Sequence, residues 1–218
     1  MTGFPKLGWN QARIAAIHLH KLNHAFDALY SGTQTRHEET LAAYIEGFSP
    51  PGKALPPVHK TDAFNEYDSE NILKTLIPQV IRKEPAFETD VRHMMADRRT
   101  FQKVYERIMR LWISTRGPVY NLETWETYSN RVVEGLFQLM ADQGSGKTVA
   151  VFTSGGPIAV CVQKPSLSPM KKPWSTTWQI MNASVTRLKY SGDRLMLAGF
   201  NDVTHLEIKQ KSDLITFR

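Results

Sequence analysis

Thr148-Val-Ala-Val-Phe-Thr-Ser154 runs straight into Gly155-Gly156-Pro157-Ile158-Ala159-Val160, and this join decides the fold. A continuous apolar, β-branched run is what a parallel strand buried on both faces requires. The Gly-Gly-Pro turn then hands the chain directly to a helix expected near Ile158 to Val162. Immediately upstream, GSGKT at 144–148 tempts a phosphate-loop reading, but Ala141 stands where that pattern needs its first glycine. The order of elements is also reversed, with a helix before it and a strand after. It reads as a helix-ending turn. Downstream, Ala183 to Tyr190 alternates as a strand, Ser191-Gly192-Asp193 turns, and Arg194 to Phe200 pairs back as a hairpin.

The N-terminal half has the same alternation. Leu7 to Leu22 carries Ile14 and Ile17 among alanines at helical spacing, and Phe26 to Ser31 is a short apolar strand. A helix over Arg36 to Glu46 is closed by Gly47 and the Ser49-Pro50-Pro51-Gly52 breaker, and Lys53 to Lys60 reads as irregular. Residues 70–140 are mostly helical, in segments Asn71 to Ile81, Val91 to Ser114 and Leu122 to Met140. There is no internal repeat. Strands alternating with helices predict a three-layer α/β/α sandwich with a mostly parallel sheet, a helical insert over 70–120 and a C-terminal β-hairpin, all within one domain, 1–218. In such sheets ligands bind beyond the carboxyl ends of the strands, here after Tyr30 and Phe152.

With 218 residues, 41% hydrophobic and 22% charged, the composition excludes collagenous and disordered classes. The lone Cys161 excludes an internal disulfide framework and fits a reducing, cytoplasmic setting. No stretch reads as an export signal or approaches the length of a membrane span, so no membrane partner is expected. The formal charge of +6 raises a nucleic-acid reading. From residue 164 onward nine Lys/Arg face only four acids, so that quarter carries most of the excess. It does so without a basic run or interleaved aromatics, which reads as a solvated basic face. Nucleic acid is not the expected partner.

Ser154 sits at a strand-to-helix turn, as a hydrolase nucleophile does, but Phe152 occupies the place of a required small residue. The same turn can act electrostatically, because backbone N–H groups of Gly155 and Gly156 point out of a helix N-terminus and suit an anion such as phosphate. Arg36, opening a helix just past the Tyr30 strand, can grip phosphate through two parallel hydrogen bonds. Glu66, in the loop Phe64-Asn65-Glu66-Tyr67-Asp68 among polar and aromatic groups, is a candidate general acid. His37-Glu38-Glu39-Thr40 begins like a zinc-peptidase helix, but Leu41 stands where the second histidine belongs. His18, His20 and His24 are read as sharing one helix, on which residues two apart point to different faces. No metal site is expected.

Taken in order, these segments resemble the histidine phosphatase superfamily, also called phosphoglycerate mutase-like. PKLGWNQAR resembles its LT-x-x-G-x-x-QA helix, YSGTQTRHEET its S-x-x-x-R-x-x-x-TA segment and FNEYDS its acidic loop. VAVFTSGGPIAV resembles its VVSHGGPI strand and turn, and NASVTRLKYSGDRLMLAGFNDVTHL its closing hairpin. Thr124-Trp125 with Arg131 falls where that family has a helix of similar character. The resemblance implies phosphoryl transfer from a small-molecule phosphate ester to a histidine in an Arg-His-Gly motif, then to water or another hydroxyl, with no metal and no cofactor. Arg36 would be a phosphate-binding arginine and Glu66 the general acid, and Ser154 with Gly155 and Gly156 would frame the phosphate.

Two departures qualify that expectation. Only Met1 to Lys6 precedes the first helix, where the family carries the Arg-His-Gly strand, so the start reads as shortened and the nucleophile as absent. The pairs Arg36-His37 and Arg92-His93 lie within helices and are followed by Glu38 and Met94, so neither replaces it. Ser154 also stands where the family has a second histidine. The expectation is a phosphatase-like chain with little or no turnover. The alternatives are a non-catalytic phosphate- or phosphoprotein-binding module and a basic nucleic-acid binder.

Overall fold

The computed structural model describes residues 6–48, 54–118, 121–163 and 179–217. The Ser49-Pro50-Pro51-Gly52 breaker and most of the loop after α7 lie outside them. The chain divides into two compact units, one made of residues 1–66 and 131–218 and the other of 67–130.

The first unit is built on three parallel strands in the order β2-β1-β3. β1, Ala28–Ser31, is fully buried and forms the centre. It pairs on one side with β2, Val58–Lys60, as Leu29 opposite Val58, and on the other with β3, Val149–Phe152, as Leu29 opposite Ala150. β2 falls inside the stretch read as irregular. Its three residues are exposed and follow a pair of prolines, so neither apolar alternation nor propensity marks it; pairing to β1 makes it a strand.

α1, Lys6–Lys21, and α2, Thr35–Phe48, pack on each other. Gly47 is inside α2 and does not end it. An added Cβ there would lie 2.9 Å from both the Ala16 side chain and the Arg13 carbonyl oxygen, so the glycine permits close helix approach. Leu29, Ala16, Leu41 and Tyr44 form the core between helices and sheet. Buried Gln11 of α1 donates to the Leu214 carbonyl at 2.8 Å and to Thr216 Oγ1 at 3.0 Å, tying down the C-terminal segment.

α7 spans Gly155–Val162, starting three residues before the expected position because Gly155 and Gly156 are themselves helical. Gly144 and Gly146 have φ of +74° and +73°, so GSGKT is a turn. β4, Val185–Ser191, and β5, Arg194–Asp202, form an antiparallel hairpin. α8, Thr204–Glu207, follows and packs on α1. His18 and His20 lie on α1, whereas His24 is past its end.

In the second unit α3, Ser69–Lys83, is followed by α4, Phe87–His93, and α5, Arg98–Ser114. The stretch read as one helix from Val91 is therefore two. Asp97 separates them, its carboxylate accepting from Thr100 N at 2.8 Å and from Thr100 Oγ1 at 2.6 Å as the N-cap of α5. Trp112 and Tyr128 are buried at the centre, and the Trp112 indole donates to the Glu123 carbonyl at 2.8 Å. α6, Trp125–Gln143, begins in this unit and continues into the first. Among the described residues no helix is long and apolar enough to cross a membrane.

Candidate functional site

The carboxyl ends of β1 and β3 lie side by side, joined by the hydrogen bond from Gly32 N to the Phe152 carbonyl at 3.1 Å. Three segments meet there: residues 31–37 entering α2, the loop 61–66, and the β3–α7 turn. The loop is tied to both of its neighbours. Asn65 Oδ1 accepts from Thr33 N at 2.7 Å, and its amide donates to Thr33 Oγ1 at 2.7 Å. Gln34 brackets the Glu66 backbone, donating to its carbonyl at 3.1 Å and accepting from its N–H at 3.3 Å. Thr153 Oγ1 donates to the Phe64 carbonyl at 2.6 Å. Arg131 adds three bonds from one guanidinium nitrogen, to the carbonyls of Asp62, Ala63 and Asn65 at 2.6, 3.2 and 3.4 Å.

This scaffold fixes Glu66, which is 4% exposed. Its carboxylate accepts from the Gly156 N–H at 3.0 Å, so an acid from the loop caps α7. A buried carboxylate is accommodated there because the helix N-terminus offers unpaired N–H groups and a positive dipole end. Ser154 holds the N-cap position but makes no capping bond with its side chain. Its hydroxyl lies 3.1 Å from His37 Nε2 instead. His37, in the first turn of α2, is 1% exposed.

Arg36, the neighbouring residue, is exposed on that same turn. Arg36, His37, Ser154 and Gly155 all line one cavity of about 1850 Å³ between the helices, β3 and the hairpin of the first unit. Cys161 also lines it, but burial pushes its thiol up to about 12, which leaves no thiolate for nucleophilic work.

The structure places each of the residues singled out from sequence at or near the β3–α7 turn or on the cavity beside it. Ser154 and Gly155 form the turn, Glu66 reaches it through Gly156, and Arg36 borders the same cavity. Sequence reasoning missed His37, Gln34, Asn65 and Arg131. Gln34 and Asn65 had no signal beyond being polar loop residues; Arg131 was noticed for its place in a helix and not for the loop it holds. His37 reads from sequence as no more than a residue of the α2 helix. Among the described residues no cluster of His, Cys, Asp or Glu is arranged to hold a metal ion.

Solved structures similar to this chain carry the same fold. A phosphoglycerate mutase from Bacillus anthracis str. Sterne superposes with a TM-score of 0.61 at 16% identity, over 96% of this chain and 86% of that one. A putative α-ribazole-5'-P phosphatase from Escherichia coli str. K-12 substr. MG1655 gives 0.61 at 15% identity, over 93% and 85%. A mycobacterial glucosyl-3-phosphoglycerate phosphatase gives 0.53 at 18% identity, over 92% and 88%. No curated protein sequence matches the chain. The family model of the histidine phosphatase superfamily (branch 1) matches residues 5–203, most of the length and every element around the cavity from α1 to β5, and the chain belongs to that superfamily.

Proposed function

We propose that the cavity at the carboxyl ends of β1 and β3 binds the phosphate of a small-molecule phosphate monoester. Arg36, Ser154 and the Gly155 N–H hold the phosphate oxygens, and Glu66 is the group that protonates a leaving oxygen. The observation that carries this reading is the convergence of an arginine, a hydroxyl and a helix N-terminus on one cavity, with a buried carboxylate one peptide away. Donors of this kind suit a tetrahedral dianion. The similar structures named as a mutase and as phosphatases support phosphate-ester chemistry.

The 218-residue chain carries no Arg-His-Gly, so phosphohistidine formation lacks the nucleophile that the resemblance implies, and positioning groups alone do not replace one. We therefore expect vanadate and phosphate to bind saturably while p-nitrophenyl phosphate turns over slowly or not at all. Calorimetric titration tests the binding, with Arg36→Ala expected to weaken it at least about tenfold, the loss of a bidentate charged contact. Turnover that is abolished in Glu66→Gln would overturn the low-activity reading while keeping the site. Salt-sensitive oligonucleotide binding with no vanadate binding would replace the site by the basic surface.

A further inference from the structure

We infer that His37 supplies the imidazole of this anion site from α2, acting through the Ser154 hydroxyl. This deepens the phosphate-site reading and rests on it. Ser154 offers one proton and two lone pairs. If its proton is given to His37, the oxygen presents only lone pairs to the cavity and repels an anion. If His37 Nε2 donates, the hydroxyl proton is released to face a phosphate oxygen. In the imidazolium both ring nitrogens carry protons, so Nε2, 3.1 Å from Ser154 Oγ, can only donate. Protonated His37 therefore turns Ser154 into a donor and adds a positive charge beside the anion.

Three features place the pair in this role. Ser154 occupies an N-cap position yet leaves capping to Glu66, so its hydroxyl is kept for His37. His37 is buried, which holds its ring in one orientation, and it still lines the cavity. Gly32 leaves the space the ring needs: a Cβ there would be 2.2 Å from His37 Nδ1. Besides His37, the titratable and charged groups on the same cavity are His24, Arg36, Glu39, Tyr44, Lys147, Cys161, Arg187, Lys189 and Tyr190. From the loop comes Glu66, and at the end of β2 Lys60 pairs with Glu38 of α2 at 2.8 Å. β3 and the start of α7 bring no ionisable side chain.

Sulfate is the probe, because it keeps its double negative charge while a histidine titrates between pH 5 and 8. Burial disfavours the charged ring, as it does for His205, but a bound dianion facing it through Ser154 favours that form, so sulfate affinity of the wild-type chain is expected to rise about tenfold from pH 8 to pH 5.5, the difference between a neutral and a charge-assisted donor. His37→Gln, which keeps an N–H donor without the charge, and Ser154→Ala are each expected to flatten that rise. His24→Gln is expected to leave it in place. Circular dichroism at each pH identifies folded variants, and Ser154→Ala keeps the test open should His37→Gln not fold. Arg36-dependent sulfate binding that is flat from pH 8 to 5.5, or a full wild-type rise in Ser154→Ala, overturns the role of His37 and leaves the anion site standing. No sulfate binding at any pH overturns both.

Discussion

Gly32 shows how tightly single residues are specified at this site. Its φ is not in the left-handed region, so its backbone would accept a side chain; what forbids one is space. A Cβ would meet His37 Nδ1 at 2.2 Å and Asn65 Oδ1 at 2.8 Å, displacing the ring from Ser154 and the amide from Thr33. Gly32→Ala is therefore expected to cost about 1–3 kcal/mol, the usual range for overpacking, read as a lower urea midpoint. It should also weaken sulfate binding at pH 5.5 more than at pH 8, since the charged state of His37 is the one misplaced. Unchanged stability and affinity would show that the turn relaxes freely. The places of Arg36, Glu66, Ser154 and Gly155 in the fold were legible from sequence because turn chemistry, a helix start and an acidic loop are local signals. His37 was not, since its partner lies 117 positions away and nothing adjacent to it marks a buried face.

At the scale of elements, the short α8 is held to α1 by a histidine that folding keeps neutral. His205 is 3% exposed, and its ring lies 6.0 Å from that of His18. Burial pushes its imidazole from the ordinary 6.5 down to about 4, His18 pushes the same way, and Asp202 opposes them. Its folded pKa is thus below its unfolded one, so the unfolded chain binds the extra proton. The resulting stability is complete above pH 6.5 and is lost as pH falls toward 4. The loss is on the order of 3 kcal/mol. Urea midpoints should fall between pH 7 and pH 4.5, and His205→Gln should fall less steeply. An equal slope in the variant would show that other groups carry it. Asp27 and Asp202, whose backbone hydrogen bonds lower their carboxyls, act at lower pH. The same scale explains which elements could be read: α1 and the hairpin announce themselves by periodicity, and β3 by its continuous apolar run. β2 is exposed and becomes a strand only by pairing with β1, and the break before α5 depends on one Asp97 cap inside an otherwise helical stretch.

For the whole molecule, the order of elements was legible because apolar runs and turns are written along the chain, whereas the division at 66/67 and 130/131 was not. The second boundary falls inside α6, where helical periodicity continues and gives no sign of it. Within 67–130 the core is aromatic: Trp112 packs on Tyr67, Trp125 and Tyr128 at centroid distances of 5.0, 5.5 and 6.1 Å. All of these partners belong to that unit. Trp112→Ala removes a large side chain that is 1% exposed and leaves the Glu123 carbonyl without its indole donor. A loss of about 3–5 kcal/mol is expected for truncating a buried tryptophan. If the units are separately cooperative, the lost protection should appear in amides of α3 to α5, while those of β1 and α2 exchange as in the wild type. Hydrogen exchange read by mass spectrometry at segment resolution makes that comparison. An equal loss in both units would mean that they unfold as one, and the sulfate site would then weaken along with the helical unit; unchanged sulfate affinity in Trp112→Ala is the outcome expected when the site depends on the first unit alone.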